Sequence, residues 1–193
     1  MSADVIDQLV GITPGSGLHA IRAQRTQARD NAQASYLSLF RPADPGELTL
    51  AERHAVAVFV AGLHRQPDIY AFYGDGVPAA LASAIAAEAA RGATQGPYGH
   101  YPAGPLSGEN KDGLAYAVAP GNGAVLGKRL TAALAHTHML VFHPRDAAPE
   151  ALQALLDAGL STTAIVTLSQ LVAFLSFQIR VVVGLRSLAA VAA

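Results

Sequence analysis

The stretch from Glu150 to Leu185, EALQALLDAGLSTTAIVTLSQLVAFLSFQIRVVVGL, decides the fold class. Pro149 suits the first position of a helix running through Leu156, and Gly159 ends it. Ser161 then caps a long helix of apolar character that reaches about Leu188. Its most apolar part, Ile165 to Leu185, is interrupted by Ser169, Gln170, Ser176, Gln178 and Arg180. A membrane-spanning helix needs about 20 predominantly apolar residues, and an arginine in mid-span is expensive. The segment therefore reads as a buried core helix rather than a span.

The same helical grammar continues upstream. Val5 to Val10 reads as a short helix ended by Thr13-Pro14-Gly15. Ser16 can cap one long helix from about Leu18 to Phe40, whose middle, RAQRTQARDNAQ, is polar nearly all round. Such a rod is solvated or bridges subunits. Thr49-Leu50-Ala51-Glu52 has the spacing of a capping box, opening a helix to about His64. A shorter helix follows Pro67. Pro78 opens an alanine-dominated one that ends near Arg91-Gly92 and permits close packing. A helical pattern returns from about Val125 to Phe142. No alternation of strand type is convincing, so the chain is expected to be all-α.

Residues 93–123 break this pattern. The run ATQGPYGHYPAGPLSGENKDG is rich in glycine and proline and carries Tyr98, His100 and Tyr101. A loop of this length in a compact domain is a lid, an interface arm or a disordered segment.

Composition narrows the function classes. At 193 residues the chain is one domain, or two small repeats around one core. Hydrophobic residues make up 51% and charged residues only 14%, against about 25% charged in a typical soluble chain. That deficit points to burial of surface against other copies, a homo-oligomer. The net charge is −1 and no Lys/Arg run exists, which argues against nucleic-acid binding. The start, MSADVIDQLVG, shows no secretory signal. There is no cysteine, so disulfides, thiolate metal sites and thiol redox catalysis are excluded. Together these favour the cytoplasm and no membrane partner. No Gly-x-Gly-x-x-Gly after a strand, P-loop or His-Glu-x-x-His occurs, and no cofactor is implied.

Two stretches resemble a known superfamily. LTLAERHAVAVFVAGLHRQPDIYAFYG, from Leu48, resembles the opening of the core repeat in the alkylhydroperoxidase D-like and carboxymuconolactone decarboxylase (CMD) superfamily. Glu150 to Leu185 resembles the C-terminal half of that repeat. In the redox branch a Leu-Ser/Thr-x-x-Glu-Arg pattern opens a helix, and a Cys-x-x-Cys pair and a histidine follow. Leu48, Thr49, Glu52 and Arg53 match the opening. His64 falls where the first cysteine belongs, Pro67 at the second and Ala71 at the histidine. In the second half the matching positions are Pro144, Ala147 and Ala151, with Ala132 near the glutamate position. AFLSFQIRV resembles a Phe-Asn-x-x-Asn-Arg-like run, with Ser176 and Gln178 as polar replacements and Arg180 retained. The resemblance implies an alkylhydroperoxidase D-like helical domain over residues 1–193: an N-terminal arm (1–46), a first repeat (47–92), the loop (93–123) and a second repeat (124–193). It is similar to the cysteine-free, peroxidase-related subgroup, a non-redox relative keeping an oligomeric scaffold and a small-molecule pocket. The alternative is an acid/base lyase, decarboxylase or isomerase acting on a small carboxylated or oxygenated molecule.

Candidate chemistry follows from residue type and placement. Glu52 shares one helix face with Val56, Phe59 and Leu63. Desolvated there, it would have a raised pKa suited to acid/base work; otherwise it is only the second half of the capping box. His64 is either an acid/base group or a group facing the helix C-terminus. His54 is expected to be exposed or at a subunit contact. Among His136, His138 and His143, the first and last align on a helix, roughly 10 Å apart along the axis, too far for an easy shared metal ion. His136 is the candidate proton partner. Arg180 is the candidate anion anchor, and Tyr98 and Tyr101 are loop groups that would close over a ligand.

Overall fold

The computed structural model describes residues 4–192, and these form an all-α bundle. Its helices are α1 (Val5–Val10), α2 (Gly17–Ala23), α3 (Thr26–Phe40), α4 (Leu50–Leu63), α5 (Pro67–Gly74), α6 (Ala79–Gly92), α7 (Pro120–Phe142), α8 (Pro149–Asp157) and α9 (Thr162–Ala192). Among the described residues there is no strand, only an isolated bridge between Gly99 and Lys111.

The centre of the bundle is α4. Every residue from Ala55 to Ala61 is buried, so this helix is apolar all round and needs partners on every side. α5, α6, α7 and α9 supply them. Small residues set the closest approach. A Cβ added at Gly62 would stand 2.7 Å from Ala89 Cβ of α6, so the alanine-rich helix lies directly against α4. The inner face of α9 contributes Leu168, Leu171, Leu175 and Ile179 to the core. At Gln178 that face turns polar, and the Tyr73 hydroxyl of α5 donates to its Oε1 at 2.7 Å. α9 is long and apolar enough to cross a membrane by length and composition, and half of its most apolar window is buried inside the molecule.

The capping box at Thr49 forms as the spacing predicts, with Glu52 N–H on the threonine hydroxyl and Thr49 N–H on the Glu52 carboxylate. Behind it Arg53 is buried without a carboxylate. Its guanidinium donates to the carbonyls of Leu48 (3.0 Å), Leu39 (2.6 Å), Ser38 (3.3 Å) and Pro45. One side chain thereby satisfies the end of α3 and the turn into α4.

Some boundaries differ from expectation. The expected single rod from Leu18 to Phe40 breaks at Gln24-Arg25, where Arg25 leaves helical geometry (φ −124°, ψ 58°). Its polar middle has no apolar stripe to bind a continuous rod to the core. Nor is that middle simply solvated. Arg22 is buried on the carboxylates of Asp4 and Asp7, and Arg29 donates to Asp7 at 2.9 Å. α7 starts at Pro120 rather than Val125 and kinks at Gly127, whose φ of 74° glycine adopts without strain.

Candidate functional site

The sequence candidates do not converge. Glu52 opens α4 and His64 is its C-cap, so about 18 Å of helix separates them. At the Glu52 end, Arg129 of α7 donates to the carboxylate at 2.9 and 3.4 Å. The same guanidinium binds the carbonyls of Glu47 (2.9 Å) and Gly159. The raised pKa that a desolvated Glu52 would have is not found, and the capping-box alternative is. Burial pushes the carboxyl up, but hydrogen bonds from Arg129 and Thr49 outweigh it and hold the group below its ordinary value. Ionised and fully engaged, the carboxylate and Arg129 together clamp α4, α7 and the turn after α8.

His64 stands at the other end, on a cleft of about 700 Å³. Its walls are Leu63, His64 and Arg65 from the end of α4, residues 94–97 from the loop, Leu140 to Phe142 with Pro144 from the end of α7, and Arg180 from α9. Helix termination builds this place. Arg65 adopts φ 56°, a left-handed conformation that turns the chain sharply into α5. Burial, and then the nearby Arg180 guanidinium, push the His64 imidazole below its ordinary value and favour its neutral form. Its Nε2 is buried with no hydrogen-bond partner among the described residues. Arg65 and Arg180 are exposed and form no ion pair among the described residues; Arg180 touches only the Ser176 carbonyl of its own helix, at 3.3 Å. No Asp or Glu lines the cleft. It is positively charged at its rim and apolar on the α7 side.

The remaining candidates lie elsewhere. His136 is buried in α7, with burial pushing it down and its Nδ1 without a partner among the described residues, and it does not line the cleft. Tyr98 and Tyr101 do not close over the cleft. Tyr98 is buried, with its hydroxyl on the Leu114 carbonyl at 2.9 Å, and Tyr101 is half-buried with the Arg145 guanidinium 4.4 Å from its ring centre. His54, expected at the surface or an interface, is half-buried against Phe40 and Tyr73, with Nδ1 3.0 Å from the Tyr73 carbonyl.

Sequence reasoning missed two sets of groups. Glu88, inside the alanine-rich α6, is fully buried. It accepts from the Tyr116 hydroxyl (2.9 Å), Ala119 N–H (3.1 Å) and Asn122 Nδ2 (2.6 Å). Burial pushes its carboxyl up, but these bonds win and lower it. No periodicity marks Glu88, because its partners lie about 30 residues on. The second set joins His138 to His143, not the helically aligned His136 to His143. At the end of α7, His143 leaves helical geometry (φ −142°, ψ 54°) and comes back on the preceding turn.

No family model, no curated protein and no solved structure matches this chain.

Proposed function

We propose that the chain is a non-redox relative of the CMD-like helical proteins, keeping an oligomeric scaffold of two diverged repeats and binding a small organic anion in the His64–Arg180 cleft. The observation that carries this reading is the unbalanced charge of the cleft. Two arginines without ion-pair partners, a neutral histidine with an unsatisfied nitrogen and an apolar wall face one space that holds no carboxylate. Arginine forks recognise carboxylates through paired N–H bonds. The apolar wall of Leu63, Leu140, Val141 and Phe142 suits the organic body of such a ligand. With no cysteine, the chain has no thiolate to attack a peroxide.

Titration calorimetry with a panel of aliphatic and aromatic carboxylates tests it. One or more acids should bind, their neutral amide isosteres should not, and Arg180→Gln should weaken binding by about tenfold or more. Equal binding of acid and amide, or no effect of Arg180→Gln, would overturn the reading.

The neutral His64 supports a second reading: an acid/base lyase, decarboxylase or isomerase in which His64 takes the proton and Arg180 holds the anion. Under it, His64→Gln would leave affinity within a few-fold and lower turnover by roughly two to four orders of magnitude.

Self-association is part of the proposal. An interrupted apolar stripe runs along α9 through Val166 (51% exposed), Phe177 (44%) and Leu188 (42%), with the exposed Gln170 and Arg180 between them on the same face. Beside Phe177 lies a groove of about 600 Å³ floored by Ala28, Asn31, Ala32 and Ser35 of α3. A projecting ring next to a small-residue groove is the self-complementary arrangement a two-fold pair of copies needs. Arg180 and Arg186 on α9, with the core packing of its other face, favour a protein partner over lipid.

A further inference from the structure

Behind the apolar wall of the cleft runs a chain of hydrogen bonds that the anion-binding reading does not use. His138 is fully buried, and its Nε2 lies 3.0 Å from the Gly92 carbonyl oxygen. Its Nδ1 lies 3.3 Å from His143 Nε2, and His143 Nδ1 lies 2.9 Å from Asp146 Oδ2. Two tyrosines fix the rings. Tyr116 stacks on His138 at 4.3 Å between centroids, and Tyr98 stacks on His143 at 4.9 Å.

The number of protons in this chain is set by its ends. Both ends, a carbonyl and a carboxylate, only accept. Three hydrogen bonds between them require three hydrogens, and two neutral imidazoles carry one each. The third must be an added proton. Burial pushes His138 down to about 4, with the Gly92 bond opposing and His143 assisting. His138 therefore stays neutral, donates from Nε2 to Gly92 and accepts at Nδ1. With the third hydrogen placed on His143, both of its nitrogens donate, one to His138 and one to Asp146. The Asp146 carboxyl is itself lowered: burial raises it, but the bonds from His100 N–H and His143 prevail. When the added proton leaves, two lone pairs face each other across the central contact and that bond is lost.

The corner held by this chain is one side of the cleft. The Phe142 carbonyl accepts from Tyr98 N–H at 3.0 Å, and Asp146 Oδ1 accepts from His100 N–H at 2.6 Å. Arg145 donates to the Glu109 carbonyl at 2.8 Å. Leu140 to Phe142 and Pro144 line the cleft on the α7 side, and residues 94–97 line it from the loop. We propose that one proton shared by His138 and His143 latches the loop onto the end of α7 and so sets the wall of the cleft, firm when the proton is bound and loosened when it leaves. The effect on ligand binding rests on the anion-cleft reading; the latch does not.

Other charged groups border the pair. From the loop comes His100, whose Nε2 is 3.2 Å from Asp112. From α6 come Glu88 and Arg91, linked to the His138 ring through Tyr116. From the turn after α7 comes Arg145. His100 is the second histidine touching Asp146 and needs its own control.

The test uses the ligand-free full chain. Imidazole nitrogen NMR from about pH 5 to pH 8.5 reads the protonation of each ring, and hydrogen exchange reads the Tyr98 and His100 amides after correction for intrinsic rate. His138 should remain the neutral Nε2–H tautomer while one proton leaves the pair. Protection of both amides should fall about tenfold across the same midpoint, the loss of roughly one hydrogen bond. The sign follows from linkage: the bound proton stabilises the latched state, so protection is present at low pH and lost as pH rises through the midpoint. Asp146→Asn removes the carboxylate that holds the proton and should move the midpoint to lower pH; His100→Gln should leave it in place. Flat protection in the wild type, a midpoint unmoved by Asp146→Asn, or one moved equally by His100→Gln would overturn the latch. Should Asp146→Asn fail to fold, the wild-type spectra decide alone: a pair without the added proton at pH 5, with the amides protected, sinks the proposal. Because no ligand is present, this result is independent of whether the cleft binds an anion.

Discussion

The Glu52 carboxylate accepts from the backbone and hydroxyl of Thr49 and from Arg129, so one side chain caps a helix and ties it to another. Replacing it with glutamine keeps a capping acceptor but removes the charge-assisted bond. Glu52→Gln should therefore cost about 1–2 kcal/mol in urea unfolding at pH 7. The folded carboxyl is lowered, so its contribution is full above the unfolded value and disappears as pH falls through the folded one. The gap between variant and wild type should narrow once pH falls below the ordinary carboxylate range. No gap at pH 7, or a gap that widens as pH falls, would show that Arg129 adds nothing to the cap. A buried-acid reading would have drawn the opposite pH profile. The capping half of this arrangement was legible in the four residues from Thr49 to Glu52. The other half was not, because Arg129 lies 77 residues away and its approach depends on where α7 packs. Glu88 and the His138–His143 pair escaped the sequence for the same reason: their meaning lies in partners, not in spacing.

At the scale of elements, the legible features are those decided within one turn of chain. Pro67, Pro149 and Ser161 each mark a helix start that the structure confirms, and Gly159 marks a stop with φ 89°. The break at Gln24-Arg25 and the kink at Gly127 were missed because continuous helical composition runs through both. The glycine-rich segment was read as a lid, an arm or a disordered stretch, and three of its glycines, Gly96, Gly99 and Gly113, make room for neighbours. A Cβ at Gly113 would stand 2.2 Å from the Tyr98 ring, and one at Gly99 (φ 109°) would stand 2.7 Å from Asp146. The tightest helix pair gives a prediction. Gly62→Ala should destabilise the fold by about 1–3 kcal/mol through overpacking between α4 and α6. Ala89→Gly in the same chain should recover part of that loss, although it costs helix propensity on its own. Thermal melts of the four-member cycle would measure the coupling. Additive losses would mean that the Gly62–Ala89 contact does not set the spacing.

For the whole molecule, the stripe on α9 makes association the central expectation. Light scattering at micromolar concentration should give a mass of at least two chains of 19.9 kDa. Phe177→Glu, which places a charge on the projecting ring position, should shift the species towards one chain while the far-ultraviolet helical signal is retained. A wild-type mass near one chain would remove the self-association reading. Thiol-dependent hydroperoxide turnover should be absent from metal-free protein, and turnover above a heat-inactivated control would contradict the chemistry of a cysteine-free chain. The order of helices around α4 carries one more consequence, for synthesis. α4 packs on its sequence neighbours α5 and α6, so this part of the bundle can assemble while the chain is still growing. α1 packs on α9, far along the chain, and the Arg186 guanidinium reaches the Leu9 carbonyl across 177 residues. During synthesis α1 thus waits for α9, and until α9 docks, Val5 and Ile6 lack the apolar partners it brings.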